Sequence, residues 1–297
     1  MSPAGASPLR IAIGIATAGR PDILERVVGL LDGQARPADA ILVCSPDQGD
    51  IDRIAAAFPQ VRAIQGERGL PRQRNRLLTE ARDVDILLFI DDDFLLAPNY
   101  LATLERIFAG HPDIAMITGR VVADGIKGPG MTIDEGLARL ASAVPATGAD
   151  LAEVYNGYGC NMAVRMDPVR RHRLRFDEAL PLYGWLEDMD FSRSVAPYGR
   201  IMRARDAVGV HLGAKSGRQP GLRLGYSQIA NPVHLMRKGT CSWQKGLAQI
   251  GRNLLANLYG TVRGEAGIDR PGRLAGNAAA IADLVRMRLS PSRILAM

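Results

Sequence analysis

The chain has 297 residues, 47% of them hydrophobic and 23% charged, which is enough for one large or two small domains and ordinary for a folded protein. Three widely spaced cysteines (Cys44, Cys160, Cys241) form no metal-ligand pattern and predict free thiols over a disulfide framework. No apolar run reaches the roughly 18 residues needed to span a bilayer, and the net charge of +6 is unevenly spread: from Gly221 onward 11 Lys and Arg face three Asp and Glu, a surplus of +8 that leaves the remainder at −2.

The first residues, 1–8, read as a short flexible leader with no signal-peptide pattern. "RIAIGIA" (10–16) is a β-like run, and "PDILERVVGLLDGQ" (21–34) carries apolar residues at helical spacing. "AILVCS" (40–45) predicts a second strand, 50–59 a short helix, "VRAIQG" a third strand, 70–82 a helix and "DILLFI" (85–90) a fourth strand. Strands alternating with helices predict a parallel sheet covered on both faces, with a ligand beyond the strands' carboxyl ends. A helix over 99–112 and a strand over 114–122 follow. Then the pattern loosens into a glycine-rich stretch, 123–131, that reads as a mobile loop. "GCNMAVR" (159–165) predicts a strand, 187–199 opens as a helix with acidic residues in its first turn, and a β-like run precedes His211. Two helices are expected at 223–239 and 242–264.

Asp91, Asp92 and Asp93, in "LLFIDDDFLL", stand where the fourth strand emerges, with no counter-charge evident beside them. Like charges this close are costly unless a cation, a helix N-terminus or solvent offsets them. Hard oxygen ligands at Asp91 and Asp93 suit Mg2+ or Mn2+, with capping of the next segment as the competing role, although Asn99 already offers a cap. Glu187 and Asp188, in "YGWLEDMDFSRS", read equally as a carboxylate base in a partly apolar wall or as first-turn acids meeting a helix dipole. His211 is a further metal or phosphate ligand candidate. Dinucleotide, Walker and serine-nucleophile motifs are absent.

Taken in order, these pieces resemble the inverting GT-A glycosyltransferases of family 2. The turn "IATAGRP" is similar to the family's "PTYNRP", "AILVCSPDQGD" to its second strand, Arg74-Asn75 to its helix-borne Arg-Asn, and "FIDDD" and "WLEDMDF" to its two acidic motifs. The match covers about residues 9 to 215. It implies a Rossmann-like mixed sheet flanked by helices, as a catalytic unit over 9–220 with a nucleotide-sugar half (9–122) and an acceptor half (123–220), followed by a basic helical region, 221–297. It also implies a nucleotide-sugar donor contacted by Thr17, Arg20, Asp47, Arg74, Asp91 and Asp92, with Arg74 near the ribose or diphosphate. A metal would sit at Asp91 and Asp93, Asp188 would act as base, and Glu187 would position the acceptor or assist the base. Where relatives carry an aspartate that reads the base and ribose, this chain has Ser45 and Pro46 with Asp47 displaced, so the nucleotide stays open.

The expected activity is metal-dependent transfer to a hydroxyl of a glycan or lipid-linked acceptor. A sugar-phosphate nucleotidyltransferase and a non-catalytic nucleotide-sugar-binding protein are the alternatives. The basic end, with Trp243, Leu247, Ile250, Leu254, Leu258 and Val262 at helical spacing, reads either as packing on the catalytic unit or as docking on an anionic membrane surface. The expected location is cytoplasmic, peripheral to the inner face of the plasma membrane, with no nucleic-acid partner.

Overall fold

The computed structural model describes residues 8–144, 150–215, 220–265 and 267–297. Of the expected leader only Pro8 is among them, and the expected boundary at 220 borders 216–219, which also lie outside the described residues.

The first half alternates as the apolar runs require: β1 (Ile11–Ala16), α1 (Pro21–Leu30), β2 (Ala40–Ser45), α2 (Gln48–Ala57), β3 (Arg62–Gln65), α3 (Leu70–Glu80) and β4 (Ile86–Asp91). Pro21 and Pro71 sit in the first turns of α1 and α3, where the missing N–H costs nothing. The second half holds β5 (Phe94–Leu96), α4 (Tyr100–Gly110), β6 (Ile114–Asp124), α5 (Ile133–Ala141), β7 (Leu151–Glu153), β8 (Asn161–Arg165), α6 (Met166–Arg171), α7 (Glu187–Val195) and β9 (Arg200–His211). The chain then closes on α8 (Gly221–Lys238), α9 (Trp243–Val262) and α10 (Arg270–Val285).

One mixed sheet runs β3-β2-β1-β4-β8-β6-β9-β5, with β7 on β9. Its first four strands are parallel, as the alternation predicts, while β8 joins β4 antiparallel and ends the parallel run. Two apolar layers cover it, one built on Ile11, Ile13, Leu88 and Phe108, the other on Leu77, Leu87, Phe89 and Phe191. A third cluster joins α8 to the segment before α7: Tyr226, Ile229 and Val233 pack with Leu180, Leu182, Leu186 and Met189. All three cysteines are buried and unpaired.

Two expectations change. The stretch 123–131, read as a loop, carries regular structure: β6 runs to Asp124, a 3-10 turn covers Gly125–Lys127, and Met131 N donates to Leu212 O at 2.9 Å. Beyond it, α5 was not expected, although Thr132 and Glu135 form a reciprocal capping box at its start. Among the described residues no helix is long and apolar enough to cross a membrane.

Candidate active site

Strand pairing assembles the site. Ala16 lies opposite Asp91, so the chain leaves β1 and β4 side by side. Thr17 Oγ1 donates to Asp92 Oδ2 at 2.5 Å, and Arg20 Nη2 reaches Asp92 Oδ1 at 2.7 Å and, through Nη1, lies 3.8 Å from Asp93 Oδ2. The triplet therefore does have counter-charges, contrary to its appearance in sequence; they arrive from the turn after β1 and from more distant elements. Asp92 is fully buried, and burial lifts its carboxyl to about 7 against the pull of Arg20.

Two registers place His211. Phe94 pairs with His211 across β5 and β9, which sets Asp93 beside the imidazole, and Asp124 pairs with His211 across β6 and β9. Nδ1 of His211 lies 2.9 Å from Asp124 Oδ1, while Nε2 faces Asp93 Oδ1 at 3.4 Å and Asp91 Oδ2 at 3.8 Å. Asp124 is itself held by Tyr158 Oη at 2.8 Å and Ile126 N at 3.0 Å. One donor atom each from Asp91, Asp93 and His211 lie within 4.8 Å of one another. Among the described residues Asp93 Oδ1 is buried without a hydrogen-bond partner, so these residues fit a divalent cation with mixed oxygen and imidazole ligands. The Asp124–His211 contact is the outer carboxylate such a ligand needs to fix its ring. Burial opposes the imidazolium, but Asp124 and Asp93 outweigh it and push His211 up to about 10. That proton occupies the lone pair a cation would use, so the two exclude each other. Burial likewise works against the Asp93 carboxylate, and His211, Arg20 and the Ala214 N–H outweigh it to hold its carboxyl below the usual range.

The second acidic pair opens α7. Leu186, just before it, has φ +73, a left-handed conformation that a branched side chain adopts at a cost of about 1–3 kcal/mol. Leu182 does the same at φ +59, and both pack against the α8 cluster that holds them. Asp188 Oδ2 accepts from Gly159 N at 3.0 Å; at Gly159 an added Cβ would stand 3.2 Å from Glu187 Oε1, so only glycine brings the backbone this close without displacing a carboxylate. Burial raises the carboxyls of both residues, Glu187 to about 8 despite Arg74.

Arg74 joins the two acidic sites. It is 2% exposed, and its guanidinium donates to Glu187 Oε1 at 2.6 Å, to Asp91 Oδ1 at 3.1 Å and to Gly159 O at 2.7 Å. The rings of Phe89 and Phe176 stand 5.8 and 5.5 Å from it. The resemblance implies a position near ribose or diphosphate; the structure buries Arg74 beside Asp91, with three hydrogen bonds to protein groups. Asp47, just past β2, forms an ion pair with Arg68 at 2.6 Å, and its Oδ2 lies 4.0 Å from where a Cβ on Gly19 would stand, beside the turn that carries Thr17 and Arg20. The buried Asp50, which sequence reasoning passed over, accepts from Gly19 N and Ser45 Oγ at 2.8 Å each and fixes the turn carrying Thr17 and Arg20. Asp124 was missed as well, because a lone aspartate before glycines carries no signal until strand register sets it against His211.

No family model matches the chain. A curated protein of Haloferax volcanii, glucosyl-dolichyl phosphate glucuronosyltransferase, is 24% identical over 149 residues, 48% of this chain and 47% of that protein. The match thus spans about half the length of that relative. Solved structures extend the likeness. The mannosyltransferase PcManGT of Pyrobaculum calidifontis, in complex with GDP-Man and Mn2+, superposes with a TM-score of 0.55 at 14% identity, over 98% of this chain and 86% of that one. The fold is that of GT-A glycosyltransferases. TarS of S. aureus superposes at a TM-score of 0.54 and 14% identity over 77% of this chain and 40% of its own, and its 1-349 fragment has been solved with UDP-GlcNAc.

Proposed function

We propose that this chain transfers a sugar from a nucleoside-diphosphate donor to a hydroxyl acceptor with inversion at the anomeric carbon, using Mg2+ or Mn2+ at Asp91, Asp93 and His211. One observation carries the reading: in a GT-A fold, Asp91 at the strand end and Glu187 at the start of α7 bind one guanidinium, that of Arg74. When bound, the cation would offset the charge that develops on the departing diphosphate. Asp188, oriented by the Gly159 N–H and made more basic by burial, takes the acceptor proton. Glu187, whose carboxyl burial raises to about 8 against the pull of Arg74, is fixed through Oε1 by the Arg74 guanidinium at 2.6 Å. It positions the acceptor and leaves the base role to its neighbour. Direct displacement, with Asp188 across from the leaving group, inverts the anomeric centre. Thr17 and Arg20 orient the strand-end carboxylates toward the donor, and Asp47 with Arg68 reads the nucleoside. The Haloferax relative's name favours a lipid-linked saccharide as acceptor.

Titration of the purified chain with UDP-, GDP- and dTDP-sugars, in Mn2+ and in chelator, tests this. One donor class should bind in a metal-dependent way and be consumed when a lipid-linked acceptor is supplied. Absence of binding by every donor in either condition would overturn the proposal.

A further inference from the structure

The helix α9 has two unlike faces. Toward the bundle it turns Gly246, Asn257 and Gly260, with Asn257 Nδ2 donating to Gln228 and Asn277 at 2.7 and 2.9 Å. Away from it, Trp243, Leu247, Leu255, Leu258, Tyr259 and Val262 are each more than half exposed, Val262 at 80%. At 3.6 residues per turn these six fall within an arc of about 160°. Lys245, Arg252 and Arg263 line one border of that arc, within about 40° of its edge on the same construction. Among the described residues none of the three meets an acid: Lys245 lies over the Tyr155 ring at 4.3 Å, Arg263 over Tyr259 at 5.1 Å, and Arg252 donates to Gln249 at 2.5 Å.

We propose that this face of α9 docks on a lipid leaflet bearing anionic headgroups, the helix lying in the plane of the interface. An apolar face of this extent, unpartnered and bordered by a row of cations, is complementary to acyl chains beneath a negative surface. Trp243 and Tyr259 have the amphipathic rings favoured at that depth. Twenty residues extend about 30 Å along the surface. A second copy of the chain is less well matched. A two-fold contact sets the face against itself, and the face offers cations with no acid to meet them. The proposal rests on α9 alone and is read without any donor or transfer assay, so its failure leaves the reaction untouched.

Co-sedimentation of the full chain with phosphatidylcholine vesicles and with phosphatidylcholine–phosphatidylglycerol vesicles tests it, at low and high salt. Recovery should be selective for the anionic vesicles and fall with salt. Neutralising a basic side chain should weaken partition about fivefold, so Lys245→Gln with Arg252→Gln and Arg263→Gln should cost roughly a hundredfold if the effects add. Leu255→Glu with Leu258→Glu should abolish recovery while unfolding as the parent does by circular dichroism, since both positions are exposed. Equal recovery with neutral and anionic vesicles, or unchanged recovery of the double leucine variant, would overturn the proposal. So would a dimer that the leucine variant splits and that ignores vesicles, which would assign the face to a second copy.

Discussion

The cleft and the outer face of α9 handle charge in opposite ways. In the cleft every carboxylate of the triplet meets its own base: Asp91 meets Arg74, Asp92 meets Arg20 and Asp93 meets His211. Among the described residues the cations of α9 meet no acid. Burial explains the difference. A desolvated charge persists only when paired, so the cleft's charges lock one geometry, whereas exposed cations cost little and stay available to something outside the chain. The comparison is sharpest at Arg74, whose one guanidinium ties a strand end to a helix start that lies 113 residues from Arg74 in sequence.

That pairing can be broken directly. Arg74→Met keeps the volume but leaves Glu187 and Asp91 facing each other without a cation. We expect a loss of about 3–5 kcal/mol in urea denaturation, the range for removing one partner of a buried ion pair. Arg74→Lys should recover only part, because an ammonium cannot span three acceptors in fixed directions. A loss under about 1 kcal/mol in Arg74→Met would mean that the pairing is not what holds the wall. Next in size is Asp188→Asn, which keeps the shape but cannot take a proton. Turnover should fall by roughly 10² or more with donor affinity unchanged. If Glu187→Gln loses more turnover than Asp188→Asn, the base lies one residue earlier. Asp124→Asn acts a step further out, through the ring of His211. Metal affinity, read by calorimetry with Mn2+, should drop about 10–100-fold while the protein's melting transition moves little.

How much of this was legible in the sequence follows from the range of the forces involved. β1 to β4 and the helices between them announce themselves because both sheet faces are covered, which demands unbroken apolar runs such as "ILLFI". The acidic motifs stand out for the same reason, at the ends of those runs. β5 does not: it has three residues and exists through its pairing with β9, more than a hundred positions later in the chain. Asp124 depends on that same kind of long-range register. Arg74 was legible as a motif residue but not as a brace, because its partners come from β4, the start of β8 and α7. The helix α5 was overlooked although the spacing in "TIDE" signals a capping box. The stripe on α9 was visible as a period, yet its outward orientation depends on Gly246 and Gly260 facing the bundle, which periodicity alone cannot decide.

One place joins the two regimes of charge and sets the smallest effect. Asp177, before α7, takes Lys238 Nζ at 2.8 Å and lies 2.9 Å from His234 Nε2, both from α8, so here a cation of the bundle does meet an acid. Lys238 also reaches the buried Asp190 at 2.7 Å, which lets one side chain clamp α8 to α7. His234 and Lys238, with the Ala179 N–H, hold the Asp177 carboxyl well below its ordinary value against the cost of burial. A depressed folded pKa means the contribution is complete above the unfolded value, near 4, and is lost as pH falls below it toward the folded value. Lys238 is shifted upward, its bonds to Asp177 and Asp190 outweighing burial, so its share is complete below about 10 and is lost as pH rises through its folded value. Asp177→Asn should therefore cost about 1.5 kcal/mol at pH 7, the lower end of the scale of hydrogen bonds to charged groups. The difference from the parent should stay level across neutral pH and close below about pH 4, measured by urea denaturation in a pH series. A difference that persists undiminished at pH 3 would show that Asp177 acts through shape and not through charge. The clamp would then belong to Asp190 alone.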